Sequence, residues 1–140
     1  AALEGEVPVG AVLARAGQVI AQAHNLREQR NDPTAHAELL CIRQAAELLH
    51  TRRLNGLTLY VTLEPCPMCA GAMMMAQLER CFFAARDQRQ GCCESVLALT
   101  QDPAFYHRVP CVGGLMEEEA QTLLQDFFEK RRTGDKPHDH

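Results

Sequence analysis

The stretch TLEPCPMC, Thr62 to Cys69, places two cysteines three positions apart, behind a proline and directly after the apolar run LTLYV. On a helix, Cys66 and Cys69 stand at i and i+3 and share one face. Near a helix N-terminus the free N–H groups and the dipole favour thiolate over thiol, which suits metal ligation and redox chemistry equally. A single CxxC leaves both readings open, because a thioredoxin-like dithiol also sits between a strand and a helix. Structural zinc takes four protein ligands, commonly from two cysteine pairs, and this chain has no second CxxC. Catalytic zinc takes three and keeps one position for water, so a third ligand is the residue to find.

His36, in DPTAHAELL, is that candidate, since it falls in the first turn of a second helix that also follows a loop. Glu38 lies two residues on, and a carboxylate beside a metal-bound water can take its proton and pass it to a leaving amine. Positions i and i+2 diverge on a regular helix. The pair is therefore expected to converge only at the helix end.

The elements that must position these groups follow in order. EVPVGAVLA and QVIAQAHN, joined at ARAGQ, predict a β-hairpin. Asp32-Pro33 can cap and start a helix over about Thr34 to Leu49, with Ala37, Leu40, Cys41, Ala45 and Leu48 as its apolar stripe. LTLYVT is a strand, and Glu64-Pro65 can cap and start a helix through CPMCAGAMMMAQL. RCFFAA is a strand, SVLAL a short apolar stretch, RVPCV a further strand, and Glu117 to about Lys130 a final helix. A hairpin followed by alternating helix and strand predicts a mixed sheet of about five strands with helices on both faces.

A chain of 140 residues, 46% hydrophobic, holds one core. Residues 1–130 are expected to form one domain, and 131–140, RRTGDKPHDH, a polar mobile tail. AALEG has a helical composition but is too short for a capped helix, so an N-terminal helix is expected to be missing. No run approaches the length of a membrane span, and the start lacks a secretory signal, so a soluble protein is expected. Seven cysteines make no even disulfide framework, which points to a reducing cytosol. A net charge of −4 argues against a generally basic nucleic-acid binder, so RNA would need a local strip, for which Arg27, Arg30, Arg86, Arg89, Arg131 and Arg132 are available.

HAE followed by PCPMC matches the H-x-E…P-C-x-x-C pattern of zinc-dependent deaminases. From Glu6 to about Lys130 the chain resembles the bacterial tRNA adenosine deaminases of the cytidine deaminase-like superfamily. The resemblance rests on EVPVGAVL, DPTAHAE, LYVTLEPCPMCAGAM, ARD with Gly91 following, HRV, and DFF near the end. It implies a three-layer α/β/α fold on a mixed five-stranded sheet, with one Zn2+ per subunit held by His36, Cys66 and Cys69. It also implies attack of zinc-bound hydroxide on C6 of a flipped-out adenine, with Glu38 as proton shuttle, ammonia as leaving group and inosine as product. Asn25 matches an asparagine that hydrogen-bonds the target nucleoside, and Asp87 an aspartate beside the RNA backbone that can read a ribose 2′-OH. Val9, the Ala37 backbone and Pro65 match the pocket wall, and Phe127 and Phe128 match a C-terminal helix bordering the anticodon loop. In the family the substrate is the wobble adenosine of an arginine tRNA, met as an anticodon stem-loop by a cytoplasmic homodimer.

The chain departs from the pattern at Met75 and Gln77, where the family commonly has histidine and arginine, and at Cys92 and Cys93, where small residues are usual. Taken alone, Asn25 reads as a turn residue, Asp87 as a loop acid or local cap, and one of Phe127 and Phe128 as core. Met73, Met74 and Met75 cannot share a face and read as core plus subunit interface. Cys41, Cys81 and Cys111 read as inert core thiols, and Cys92 and Cys93 as loop thiols open to oxidation, with no metal role. Two other functions stay in view: deamination of a free base or nucleoside (guanine, cytosine or cytidine), and a non-catalytic zinc or redox module, which would have no need of Glu38.

Overall fold

The computed structural model of the chain describes residues 5–116. Strand β1 (Gly10–Arg15) and strand β2 (Gln18–His24) form the expected hairpin. Ala16 and Gly17 both take positive φ, the conformation of a turn whose twist matches that of the strands it joins. The short helix α1 (Arg27–Arg30) precedes α2 (Ala37–Leu49), then β3 (Thr58–Leu63), α3 (Pro67–Met75), β4 (Arg80–Ala85), a 3-10 turn at Leu99–Gln101, and β5 (Cys111–Gly113). The stretch SVLAL is no strand; Val96 and Leu97 are exposed in the loop before that turn.

The five strands form one mixed sheet in the order β2-β1-β3-β4-β5. β1 runs antiparallel to both neighbours, while β3, β4 and β5 are parallel. Alternation decides the faces: Ala11, Leu13, Leu59, Val61, Cys81 and Phe83 point to one side and join Cys41, Ala45 and Met73 of α2 and α3 in the core. On the other side Tyr60 stacks on Phe82, ring centroids 5.3 Å apart. Among the described residues α2 and α3 share one face, and the expected helix over Glu117 to Lys130 and the tail 131–140 lie outside them. Gly113 is required by β5, since a Cβ there would stand 2.2 Å from the Phe83 ring.

Both long helices start later than their sequence signals suggest. α2 begins at Ala37 with His36 as N-cap, and α3 at Pro67 with Cys66 as N-cap, so Pro67 occupies the first turn, where its missing N–H costs nothing. Glu64 does not cap α3; its side chain turns away to a loop described below. α3 also ends early, at Met75. Leu78 N donates to Met73 O and Gln77 N to Met74 O, with Gln77 left-handed at φ 60. That pairing closes the helix ahead of the expected QL. A left-handed glutamine is strained, so Gln77→Gly is expected to raise stability by about 0.5–1 kcal/mol. A denaturant midpoint that falls would contradict this.

Candidate active site

The site is built where two helices begin beside the sheet. His36 has extended backbone, φ −77 and ψ 149, and so lies outside the helical repeat that would separate it from Glu38. The i, i+2 obstacle vanishes because one of the pair is not yet helical. Cys66 is extended likewise at φ −76 and ψ 176, and Cys69 follows within the first turn of α3. His36 Nδ1 stands 3.6 Å from Cys66 Sγ and 3.6 Å from Cys69 Sγ. The three donor atoms lie within 4.8 Å of one another.

This set fits a metal. Zinc with bonds of about 2.05 Å to nitrogen and 2.3 Å to sulfur needs tetrahedral N···S separations of about 3.6 Å. One imidazole and two sulfurs supply three ligands, leaving a fourth position for water or substrate. The sulfurs share one proton unequally: the Cys69 thiol, then the His36 ring, hold Cys66 as thiolate down to about 4. Hydrogen bonding to Cys66 and burial push the Cys69 thiol up, while His36 is raised by its bond to Cys66.

Glu38 is 3% exposed. Burial pushes its carboxyl up to about 7, against the opposing pull of its own backbone N–H and the His36 ring. A carboxyl there is near balance between its two protonation states at neutral pH, the condition for taking and returning a proton. Cys41, behind it, points its thiol at Ala11 O and is raised by burial to about 11, an inert core thiol as expected.

The remaining sequence candidates sit on the two loops that flank these helix starts. Asn25 is buried; its N–H donates to Val9 O at 3.0 Å, and its side-chain oxygen accepts from Arg27 N at 3.3 Å. Leu26 N donates to Ala35 O, which ties this turn to the residue before His36. Val9 and Ala37 are buried, as is Pro65, whose carbonyl accepts from Cys92 N at 2.9 Å. Asp87 caps its own loop, its Oδ1 accepting from Arg89 N at 2.9 Å and Gln90 N at 3.2 Å. Phe127 and Phe128 lie outside the described residues. Arg86 is ion-paired with Glu94, so its charge is partly spent within the protein.

Two buried carboxylates went unrecognised in the sequence. Glu64, 2% exposed, accepts backbone N–H from Asp87, Cys93, Glu94 and Ser95 and the Ser95 hydroxyl. It is the post around which the 87–95 loop is wound. Gly91 is needed there because a Cβ would stand 2.3 Å from the Glu64 carboxyl carbon. Glu6 does the same for α1, accepting from Glu28 N at 3.0 Å and Gln29 N at 2.8 Å. The available signal was an acid set in apolar surroundings, as in LEPC and GEVPV. Cys92 and Cys93, within the same loop, are buried, against the expectation of oxidation-prone thiols.

A mixed sheet that holds one histidine, two cysteines and a buried carboxylate at paired helix starts has the cytidine deaminase-like fold. Residues 1–132 match the family model of the MafB19-like deaminases. The chain is 49% identical over 129 residues to the tRNA-specific adenosine deaminase of Bacillus subtilis (strain 168), covering 92% of this chain and 80% of that one. A structure solved in work on A-to-I editing by tRNA:A34 deaminases superposes with a TM-score of 0.82 at 44% identity, over 86% of this chain and 88% of that chain. The guanine deaminase of Bacillus subtilis is more distant, at TM-score 0.56 and 31% identity over 89% of this chain and 79% of that chain. This chain belongs to the family of tRNA-specific adenosine deaminases.

Proposed function

We propose that the chain hydrolyses adenosine to inosine at the wobble position of a tRNA, an arginine tRNA by its resemblance to the family. The observation that supports this most is the buried Glu38 carboxyl beside the His36, Cys66 and Cys69 donors, in a chain half identical to an adenosine deaminase of tRNA. Bound to those three donors, zinc would supply a water that ionises near pH 7 rather than at about 15.7. Glu38 takes the proton lost by the attacking water and returns it to the exocyclic nitrogen of adenine. The C6–N bond breaks, ammonia leaves, and oxygen remains on C6.

In this reading Asn25 holds the nucleoside, with Val9, Ala37 and Pro65 as the pocket wall, and Asp87 meets the RNA backbone near the ribose. Phe128 borders the anticodon loop. Met75, 80% exposed at the end of α3 while Met73 is buried, supports a homodimer contact there. Among the described residues no helix is long and apolar enough to cross a membrane, and a substrate of this kind places the enzyme in the cytoplasm.

The test is incubation of zinc-loaded protein with an anticodon stem-loop carrying adenosine at the wobble position, alongside free adenosine, cytidine, cytosine and guanine, with products read by mass. Inosine in the RNA alone is expected. Conversion of a free base or nucleoside with the RNA untouched would replace this function by the one suggested by the guanine deaminase likeness. Stem-loop binding should weaken steeply with added salt, and Arg89→Ala, removing an exposed cation, should lower the slope of log K against log salt by about 1. A flat salt response would contradict an RNA surface.

A further inference from the structure

Apart from the deaminase centre, three thiols from three different segments meet in the core. Cys81 lies on β4, Cys111 opens β5 directly beside it in the parallel register, and Cys93 comes from the loop wound on Glu64. Their sulfurs all lie within 4.8 Å of one another. We propose that Cys81, Cys93 and Cys111 form a second metal site, a three-thiolate cradle for a soft d10 cation such as Cu(I).

The donor chemistry selects the ion. Three sulfurs with no imidazole or carboxylate among them suit soft ions and discriminate against magnesium, calcium and manganese. A trigonal ion with bonds of about 2.3 Å sets its sulfurs about 4.0 Å apart, so the cluster closes on the ion by small side-chain movements. Cys81 and Cys93 are fully buried, while Cys111 is partly exposed and offers an entry path. The buried Thr100 hydroxyl, 3.2 Å from Cys111 Sγ, can donate to the third ligand as a thiolate, while the thiol donates to Val109 O at 3.3 Å when no ion is bound. Ligation releases the thiol protons. Neither Cys81 nor Cys111 nor Cys93 belongs to the deaminase centre, and each ligand sits on an element that packing and hydrogen bonding already hold.

The test uses the full chain with zinc loaded, kept anaerobic and reduced, and titrated with Cu(I) against a chromogenic copper chelator. One equivalent of Cu(I) should be captured with zinc retained, and Cys93→Ser and Cys111→Ser should each lose that equivalent while keeping the far-ultraviolet spectrum of the parent. No capture by the parent chain would overturn the proposal, as would capture unchanged in both variants or copper taken only by displacing zinc. If both variants fail to fold, thiol alkylation of the parent decides: Cu(I) should protect Cys81, Cys93 and Cys111, and their labelling at unchanged rate would overturn it.

Discussion

Replacing Glu38 by glutamine is expected to lower deamination of the stem-loop adenosine by about a hundred- to ten-thousand-fold, the usual range for a positioned proton carrier. Zinc content should not change, because the donors are His36 Nδ1 and the sulfurs of Cys66 and Cys69, and Glu38 supplies no ligand to the three-atom set. The glutamine is nearly isosteric in a pocket where the carboxyl is 3% exposed, so the fold should hold. What glutamine lacks is the capacity to accept and return a proton near neutrality, where burial has placed this carboxyl at about 7. Product mass and metal analysis on the same preparation decide the matter. Lost zinc with activity intact would remove Glu38 from its role and recast it as support for the metal.

Replacing Glu64 by glutamine should cost about 2–4 kcal/mol, read as a fall in denaturant midpoint and about 10 °C in Tm. Four backbone N–H groups and a hydroxyl converge on this carboxylate. An amide would set its own N–H groups against those donors and leave several of them unpaired within the fold. Burial alone would raise this carboxyl, but the Ser95 hydroxyl and the Ser95, Glu94 and Asp87 N–H groups outweigh it and hold it below its ordinary 4.5. A lowered folded pKa means stability that is fully present above 4.5 and is lost as pH falls from there through the folded value. The parent chain should therefore lose stability across that acid window and the variant should lose less. Equal acid sensitivity in both would show that folding does not lower the Glu64 carboxyl. Because the same loop carries Asp87 and, through Cys92 N, binds Pro65 beside Cys66, the variant should also turn over RNA less efficiently. Gly91→Ala should reproduce the loss, since its added Cβ enters the space of the Glu64 carboxyl.

The grouping of His36, Cys66 and Cys69 was legible in short motifs because each is a local device. His36 with Glu38, and Cys66 with Cys69, are neighbours in sequence near helix starts, which Asp32-Pro33 and Glu64-Pro65 signal a few residues early. The strands were legible for a similar reason: alternation in β1 and the apolar runs of β3 and β4 record which side is buried. Helix ends were less so, because α3 stops at a left-handed Gln77 that no glycine marks. The residues that only the tertiary structure decided are those whose partners lie far along the chain. Glu64 looks like a cap until the loop some 23 to 31 residues later brings its N–H groups to it. Cys81, Cys93 and Cys111 read as unrelated thiols until β5 pairs with β4 and the Glu64 loop sets the third beside them. Spacing along the chain encodes which side chains share a face. Which faces meet depends on how the whole sheet and its loops close, and that is settled only when long-range contacts form.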